Sequence, residues 1–177
     1  MAVIVVYDSF GPGMKITPVG STGTYTIGPP GTLNYLAAPF TPSSTVKLTS
    51  LTGNWAAALT AAENKFPLNH PCSITISIWS GSRSEPGTKL ESWTLTVNQT
   101  ATNYTLTSIT GPELVAGHTY WVLADYTGAQ AGNNFLGWGT NSAATTLGLW
   151  KSETSATTLS LETFEKPQPA LEVKGAR

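Results

Sequence analysis

Apolar and hydroxyl-bearing residues alternate strictly along much of residues 72–126, and this alternation most constrains the fold. In the clearest segment every second residue is apolar: Cys72, Ile74, Ile76 and Ile78. The residues between them are Ser73, Thr75 and Ser77. The same rhythm returns in Trp93–Val97 and Tyr120–Tyr126. Because successive side chains of a strand point to opposite faces, this period predicts strands with one face on a core and one towards solvent.

Short strand candidates separated by Gly- and Pro-rich turns recur along the whole chain, at intervals of about ten residues. The predicted strands are Val3–Phe10, Ser21–Ile27, Leu33–Phe40, Thr45–Leu51, Trp55–Phe66, Cys72–Trp79, Lys89–Val97, Tyr104–Ile109, Thr119–Tyr126, Phe135–Gly139, Thr146–Lys151, Thr157–Phe164 and Ala170–Lys174. The alanines of Trp55–Phe66 also favour a helix, whereas the surrounding strands and flanking asparagines favour a strand with a loop. A loop is predicted over Ser80–Thr88, and a frayed end over Gly175–Arg177.

This pattern predicts an all-β fold, a two-layer antiparallel β-sandwich that is jelly-roll-like. The chain has 177 residues, a length that suits one sandwich, and no linker divides it. We therefore expect residues 1–177 to form a single domain.

Low charge distinguishes this chain from most cytosolic enzymes. Charged residues make up 11% of the sequence and the net charge is −1, against about 25% charged residues in a typical soluble domain. The basic residues are scattered, so nucleic-acid binding is not expected. No apolar stretch is long enough for a membrane span. The lone cysteine, Cys72, lies on the apolar face of its strand and is interpreted as a buried thiol.

No catalytic or metal-binding motif accompanies the ten acidic residues and two histidines. Asp8 precedes a turn and Asp125 lies between Ala124 and Tyr126, so we interpret them as a turn acceptor and a solvated edge group. His70 and His118 lack the spacing of a metal site. The sequence therefore predicts a protein that is not an enzyme, with no catalytic residue, cofactor or metal.

Tryptophans give the sharpest binding hypothesis, because an exposed indole can stack on a sugar ring. Trp79 and Trp121 alternate with the apolar runs, which places them on the outer face; the alternative is that a second layer covers them. Trp138 and Trp150 lie among Gly, Asn and Thr. Asn133, Asn134 and Asn141 are their candidate polar partners, and these asparagines can equally be turn formers. The candidate ligand-binding residues are Trp138, Trp150, Trp79, Trp121, Asn133, Asn134 and Asn141.

A third hypothesis is assembly through the first strand, which holds an apolar run near one end of the chain. Its candidate residues are Val3, Ile4, Val5 and Val6. Such a strand can pair with the edge of a neighbouring sheet. The alternative, which we favour, is that it completes its own sandwich.

Several short segments resemble the choice-of-anchor R domain. They are Tyr7–Gly13, Thr26–Pro29, Ala38–Ser43, Ser73–Ser80, Glu85–Thr88, Leu114–Leu123, Trp138–Asn141 and Pro169–Gly175. That family consists of exported bacterial proteins, often with a PEP-CTERM-type sorting tail after the position matching Gly175, and we expect no such tail here. The resemblance implies an extracellular or surface-displayed β-sandwich and brings no activity or binding residue with it.

Taken together, these features predict a non-enzymatic structural or adhesive module at the cell surface. Its candidate partners are copies of itself, in a homo-oligomer or filament, and the alternative is a carbohydrate-binding module that holds a polysaccharide on exposed tryptophans.

Overall fold

The computed structural model describes residues 1–10, 25–27, 35–58, 72–98, 102–125, 135–146, 149–152, 160–162 and 166–177. All regular secondary structure in these ranges is strand. The strands are β1 (Val3–Asp8), β2 (Tyr25–Ile27), β3 (Tyr35–Phe40), β4 (Val46–Ala58), β5 (Cys72–Gly81), β6 (Pro86–Val97), β7 (Thr102–Thr107), β8 (Glu113–Leu114), β9 (Tyr120–Asp125), β10 (Phe135–Trp138), β11 (Thr140–Thr146), β12 (Leu149–Ser152), β13 (Ser160–Glu162), β14 (Lys166–Pro169) and β15 (Leu171–Ala176).

These strands form two antiparallel sheets packed face to face, which confirms the predicted β-sandwich. The first sheet has seven strands in the order β1-β15-β4-β10-β2, with β7 and β8 also paired to β4. The second has six strands in the order β13-β12-β3-β9-β5-β6. A separate two-stranded ribbon joins β11 to β14. The chain crosses between the two sheets repeatedly. None of the described segments is a helix that could cross a membrane.

Apolar side chains from both sheets share one core, and their positions confirm the period-two prediction. The six-stranded sheet contributes Ile74, Ile76, Ile78, Val97, Tyr120, Val122 and Ala124, and the seven-stranded sheet contributes Leu48, Leu51, Trp55, Leu106, Trp138, Leu171 and Val173. On β6, Val97 is buried whereas Thr94 and Thr96 are exposed. Burial of each large apolar side chain contributes roughly 1.5–3 kcal/mol, so this core supplies most of the drive to fold.

Strand β4 is longer than the sequence predicts, because it joins two predicted strands into one. The predicted strands ended at Leu51 and restarted at Trp55, but β4 runs unbroken from Val46 to Ala58. It pairs with β15 and β10 along one edge and with β7 and β8 along the other, so the intervening residues are held extended. The predicted strand is confirmed as far as Ala58, and residues 59–66 lie outside the described residues.

The hairpin of β5 and β6 has a shorter turn than predicted. The predicted loop covered Ser80–Thr88, but the strands continue to Gly81 and from Pro86. The turn between them is closed by the Ser82 amide, which donates to the Glu85 carbonyl at 3.0 Å. The Ser82 hydroxyl also accepts hydrogen bonds from the amides of Ser84 and Glu85. Such local bonds stabilise a tight turn that composition alone does not define.

The end of the chain is ordered, and the predicted frayed terminus is wrong. Gly175 belongs to β15 and is paired with Ile4 on one side and Leu48 on the other. A Cβ atom at Gly175 would clash with the side chain of Val46 and lie 2.9 Å from the Lys47 carbonyl oxygen. This glycine therefore permits a close approach of β15 to β4, which a terminal Gly-Ala-Arg sequence does not reveal.

We expect Gly175→Ala to lower the free energy of unfolding by about 1–3 kcal/mol, because the added methyl overpacks the β15–β4 contact. Urea unfolding followed by tryptophan fluorescence measures the change. Ala176→Ser, at the next residue of the same strand, is the matched control. Equal midpoints for Gly175→Ala and the wild type would contradict the assigned close approach.

Candidate interaction surfaces

Trp138, one of the best ligand candidates by sequence, is buried in the core. Its exposed fraction is 0%, and its indole nitrogen donates to the Ala170 carbonyl at 3.2 Å. It is paired with Trp55 on β4, and the two ring centroids lie 5.6 Å apart. A ligand cannot stack on this ring, so the prediction for Trp138 is wrong. The Gly- and Thr-rich sequence around Trp138 forms strands β10 and β11. Pairing of β10 with β4 places Trp138 against Trp55.

Trp121 is also inaccessible, although it lies on the outer face as predicted. Its exposed fraction is 0% and its indole nitrogen donates to the Ser82 carbonyl at 2.9 Å. It belongs to a small apolar cluster with Tyr35, Ala37 and Leu123, which we call the outer cluster. The ligand prediction is wrong for Trp121, and the alternative of a covered outer face is right. The nearly continuous apolar run of β9 is the signal for a strand buried on both faces.

Among the candidate tryptophans whose side chains the structure describes, Trp79 retains partial exposure. Its indole nitrogen donates to the Ser77 hydroxyl at 2.8 Å, so the ring reaches back along its own strand. It packs against the outer cluster on one side. The Lys89 ammonium lies 5.9 Å from its ring centroid. The indole is thus held in one orientation at the border between the outer cluster and solvent.

The remaining ligand candidates stay predictions. Trp150 lies in β12, paired with Ala37 and Leu161, and Asn141 lies in β11, opposite Gln168; only their backbone positions are described. Asn133 and Asn134 lie outside the described residues.

A regular array of hydroxyl groups occupies the outer face of the β5–β6 hairpin beside Trp79. Three pairs of Ser and Thr face each other across the two strands, and we call them the hydroxyl ladder: Ser73 with Thr96, Thr75 with Thr94, and Ser77 with Ser92. The three β6 residues are exposed, Ser73 and Thr75 are half-buried, and Ser77 is buried. Sequence alternation predicted these polar positions, but the cross-strand register that pairs them comes from the structure.

The candidate assembly strand β1 lies at the edge of the seven-stranded sheet. It pairs with β15, the last strand of the chain, so the prediction that it completes its own sandwich is confirmed, although its partner is not a sequence neighbour. Val3 and Val5 are 58% and 46% exposed. Ile4 is half-buried and Val6 is 3% exposed, so these two point towards the core. Of the four candidate residues, Ile4 and Val6 therefore anchor the strand to the core, and Val3 and Val5 lie on the surface.

The outer edge of β1 has few backbone groups available for pairing. The Arg177 amide donates to the Ala2 carbonyl, and alternation along an antiparallel ladder then directs the amides and carbonyls of Val3 and Val5 away from β15. A bulge follows Val5, and beyond it the Val6 carbonyl accepts a hydrogen bond from the Ser43 amide at 2.9 Å. We use the term valine edge for Val3 and Val5 with their outward backbone groups.

Glu91 is a buried carboxylate that sequence reasoning missed. It lies on the core-facing side of β6 with an exposed fraction of 6%. The Ser108 hydroxyl and the Ile109 amide donate to it at 2.6 and 2.5 Å, and the Thr110 amide at 3.2 Å. These donors follow β7, so Glu91 joins the edges of the two sheets. Period-two counting places Glu91 on the same strand face as Trp93 and Val97. A carboxylate at such an apolar position was the sequence signal that could have indicated its burial.

Hydrogen bonding sets the charge state of Glu91. Burial raises the pKa of Glu91, but the hydrogen bonds from Ser108, Ile109 and Thr110 together outweigh burial and lower it below its usual 4.5. We call this junction, where β6 of one sheet meets the residues around the end of β7 of the other, the seam. Trp93 reinforces the seam, because its indole nitrogen donates to the Thr107 carbonyl at 2.9 Å. These contacts hold Glu91 ionised in a structural role.

The two aspartates interpreted from the sequence have different outcomes. Asp8 accepts a hydrogen bond from the Phe10 amide at 2.8 Å, which confirms its interpretation as a turn acceptor. Asp125 ends β9 half-buried, in register with Tyr35 of β3 and Thr75 of β5, so its interpretation as a solvated edge group is wrong. Among the described residues, no three His, Cys, Asp or Glu side chains come together as a metal site would require.

Comparison with known proteins finds no family model, no curated protein and no solved structure that matches the chain. The resemblance to the choice-of-anchor R domain therefore stays a prediction, and function has to be argued from the surfaces described above.

Proposed function

We propose that this protein is a non-enzymatic structural module of the cell surface that associates with a second copy of itself through the valine edge. The observation that carries the proposal is the exposure of Val3 and Val5 on an edge strand. Natural sheets usually protect such an edge with charge, proline or a covering loop. Here the Ser43 amide covers the Val6 carbonyl, and the valine edge before it keeps its apolar side chains in solvent.

Antiparallel pairing about Ile4 fits the groups that the edge offers. In this register Val3 of each copy lies opposite Val5 of the other, and the amide and carbonyl of each residue can form the ladder bonds of an antiparallel pair. The two Val–Val contacts then cover apolar surface on the outer face. The bond from Ser43 to Val6 would end the pairing after this short segment.

Charge does not oppose the contact. Val3–Tyr7 has no charged residue, and the whole chain has a net charge of −1, so two copies approach with little repulsion. Such a pair has twofold symmetry and uses the same edge on both copies, which closes it at a dimer. A filament would need a second, different contact.

An extracellular location is part of this proposal. The low charge content and hydroxyl-rich outer surface support it, as does the resemblance to exported surface proteins. Antibody labelling of intact cells tests it, with signal expected before permeabilisation. Signal that requires permeabilisation would contradict a surface location.

We expect Val5→Lys to weaken self-association at least tenfold, because the charge lies inside the pairing segment and loses hydration without a partner. Sedimentation velocity over a concentration series measures the dimer. Thr94→Lys, an exposed change on the other sheet, is the charge-matched control. Deleting residues 1–7 is a poorer test, since it also removes the buried Val6.

Two outcomes would contradict the proposal. A wild-type protein that stays monomeric at the highest soluble concentration has no working valine edge. Equal dimerisation constants for Val5→Lys and Thr94→Lys would mean that the contact lies elsewhere.

A further inference from the structure

We propose that the outer face of the β5–β6 hairpin binds an extended, uncharged glycan chain, with Trp79 stacking on one sugar ring and the hydroxyl ladder bonding the next. This site is separate from the valine edge and does not depend on self-association. Three features of this face support the site: a fixed indole, a registered array of hydroxyls and a balance of charge.

Trp79 is oriented before any ligand arrives. Its nitrogen is satisfied by Ser77, 2.8 Å away, and one side of the ring packs on the outer cluster. The Lys89 ammonium lies over the ring, 5.9 Å from its centroid, and this exposed side chain can move aside to let the C–H groups of a sugar ring stack there. A preoriented side chain loses little conformational entropy on binding, so more of the stacking energy contributes to affinity.

The hydroxyl ladder continues from this indole along the hairpin. Opposed residues in neighbouring strands lie about 4.5–5.5 Å apart, and positions two residues apart on one strand lie about 7 Å apart. Each Ser or Thr hydroxyl both donates and accepts, which matches the hydroxyls of a sugar. Ser92, Thr94 and Thr96 are all exposed, so the ladder offers successive contacts to a chain and little enclosure to a single sugar.

The charges around this face balance. Lys89 lies near the Trp79 ring, and Asp125 lies in register with Thr75 at the inner border of the ladder. The ladder itself has no ionisable group. The turn of the hairpin adds one further charge of each sign, Arg83 and Glu85. Opposite charges thus balance around an uncharged ladder, so the face has no net attraction for an acidic or basic polymer, and an uncharged glycan is the ligand it fits.

The test uses neutral cello- and xylo-oligosaccharides of increasing length, with an oligogalacturonate as the acidic comparison. Isothermal titration and tryptophan fluorescence report binding. We expect affinity to rise with the length of the neutral chains, a tenfold or greater loss for Trp79→Ala, and a several-fold loss for Thr94→Val. Thr107→Val, an exposed threonine on the opposite sheet, is the matched control and should bind normally.

Three results would overturn the site: silence across the neutral panel, neutral binding unaffected by Trp79→Ala, or binding of the oligogalacturonate alone. The Val5→Lys protein separates this inference from the proposed function. It should bind the neutral chains as well as the wild type does, whether or not it dimerises.

Discussion

Trp138→Ala should lower the free energy of unfolding by about 3–5 kcal/mol, the largest effect we expect from a single substitution. The side chain is 0% exposed, and its removal leaves a cavity beside Trp55 at the centre of the seven-stranded sheet. The buried Ala170 carbonyl also loses the hydrogen bond that the Trp138 indole nitrogen donates to it. Both losses act together, because Trp138 and Ala170 lie where β10 and β15 meet β4.

Denaturant unfolding followed by circular dichroism measures this loss without relying on tryptophan emission. Trp138→Phe should fall between the wild type and Trp138→Ala, since it keeps an aromatic ring and loses the indole N–H. Trp79→Ala, which removes a partly exposed indole, should be much milder. If Trp79→Ala destabilised the protein as much as Trp138→Ala does, the assignment of core and surface tryptophans would be wrong.

The fold class was predictable because burial repeats every second residue within each strand. Ile74, Ile76 and Ile78 are all buried, and this local pattern specifies their strand without knowledge of its neighbours. The limits of β4 were not predictable in the same way. Gly53 and Asn54 have weak strand propensity, and pairing with β15 and β7 keeps them extended.

Site residues were harder to predict, because exposure depends on contacts between distant parts of the chain. Trp138 stands among small and polar residues, which favour a surface position. Its burial comes from pairing with Trp55 in another strand, and no local pattern contains that register. The same limit applies to the valine edge: alternation separates Val3 and Val5 from Val6, but only the sheet order places β1 at an edge.

Both proposed surfaces lie on side chains that do not contribute to the shared core. Val3 and Val5 project from the seven-stranded sheet, and the hydroxyl ladder projects from β5 and β6 in the other sheet. Substitutions at either surface should therefore change binding with little change in stability, whereas substitutions along the seam between the sheets should do the reverse. Glu91 is the strongest case of the second kind.

Glu91→Gln should lower the free energy of unfolding at neutral pH by about 2–3 kcal/mol, because hydrogen bonds to a charged acceptor contribute more than those to an amide. The glutamine keeps one acceptor oxygen but places an N–H group against the donors from Ser108 and Ile109. Some donors at the seam then lose their partner. Denaturant unfolding at pH 7 measures the difference.

The effect should also depend on pH, with a sign that the geometry fixes. The hydrogen bonds hold the pKa of Glu91 in the folded protein below its usual 4.5. Its contribution to stability is therefore complete well above pH 4.5 and is lost as pH falls through the lower, folded-state pKa. The stability curves of the wild type and Glu91→Gln should separate above about pH 5 and converge in stronger acid.

Glu113→Gln is the matched control, because Glu113 is an exposed glutamate on β8. It removes the same charge without touching the seam, and its stability should follow the wild type at every pH. Curves for Glu91→Gln and the wild type that stayed parallel from neutral pH into acid would mean that the Glu91 carboxylate is not held by the donors after β7. The two sheets would then be joined at this edge by apolar packing and the Trp93 bond alone.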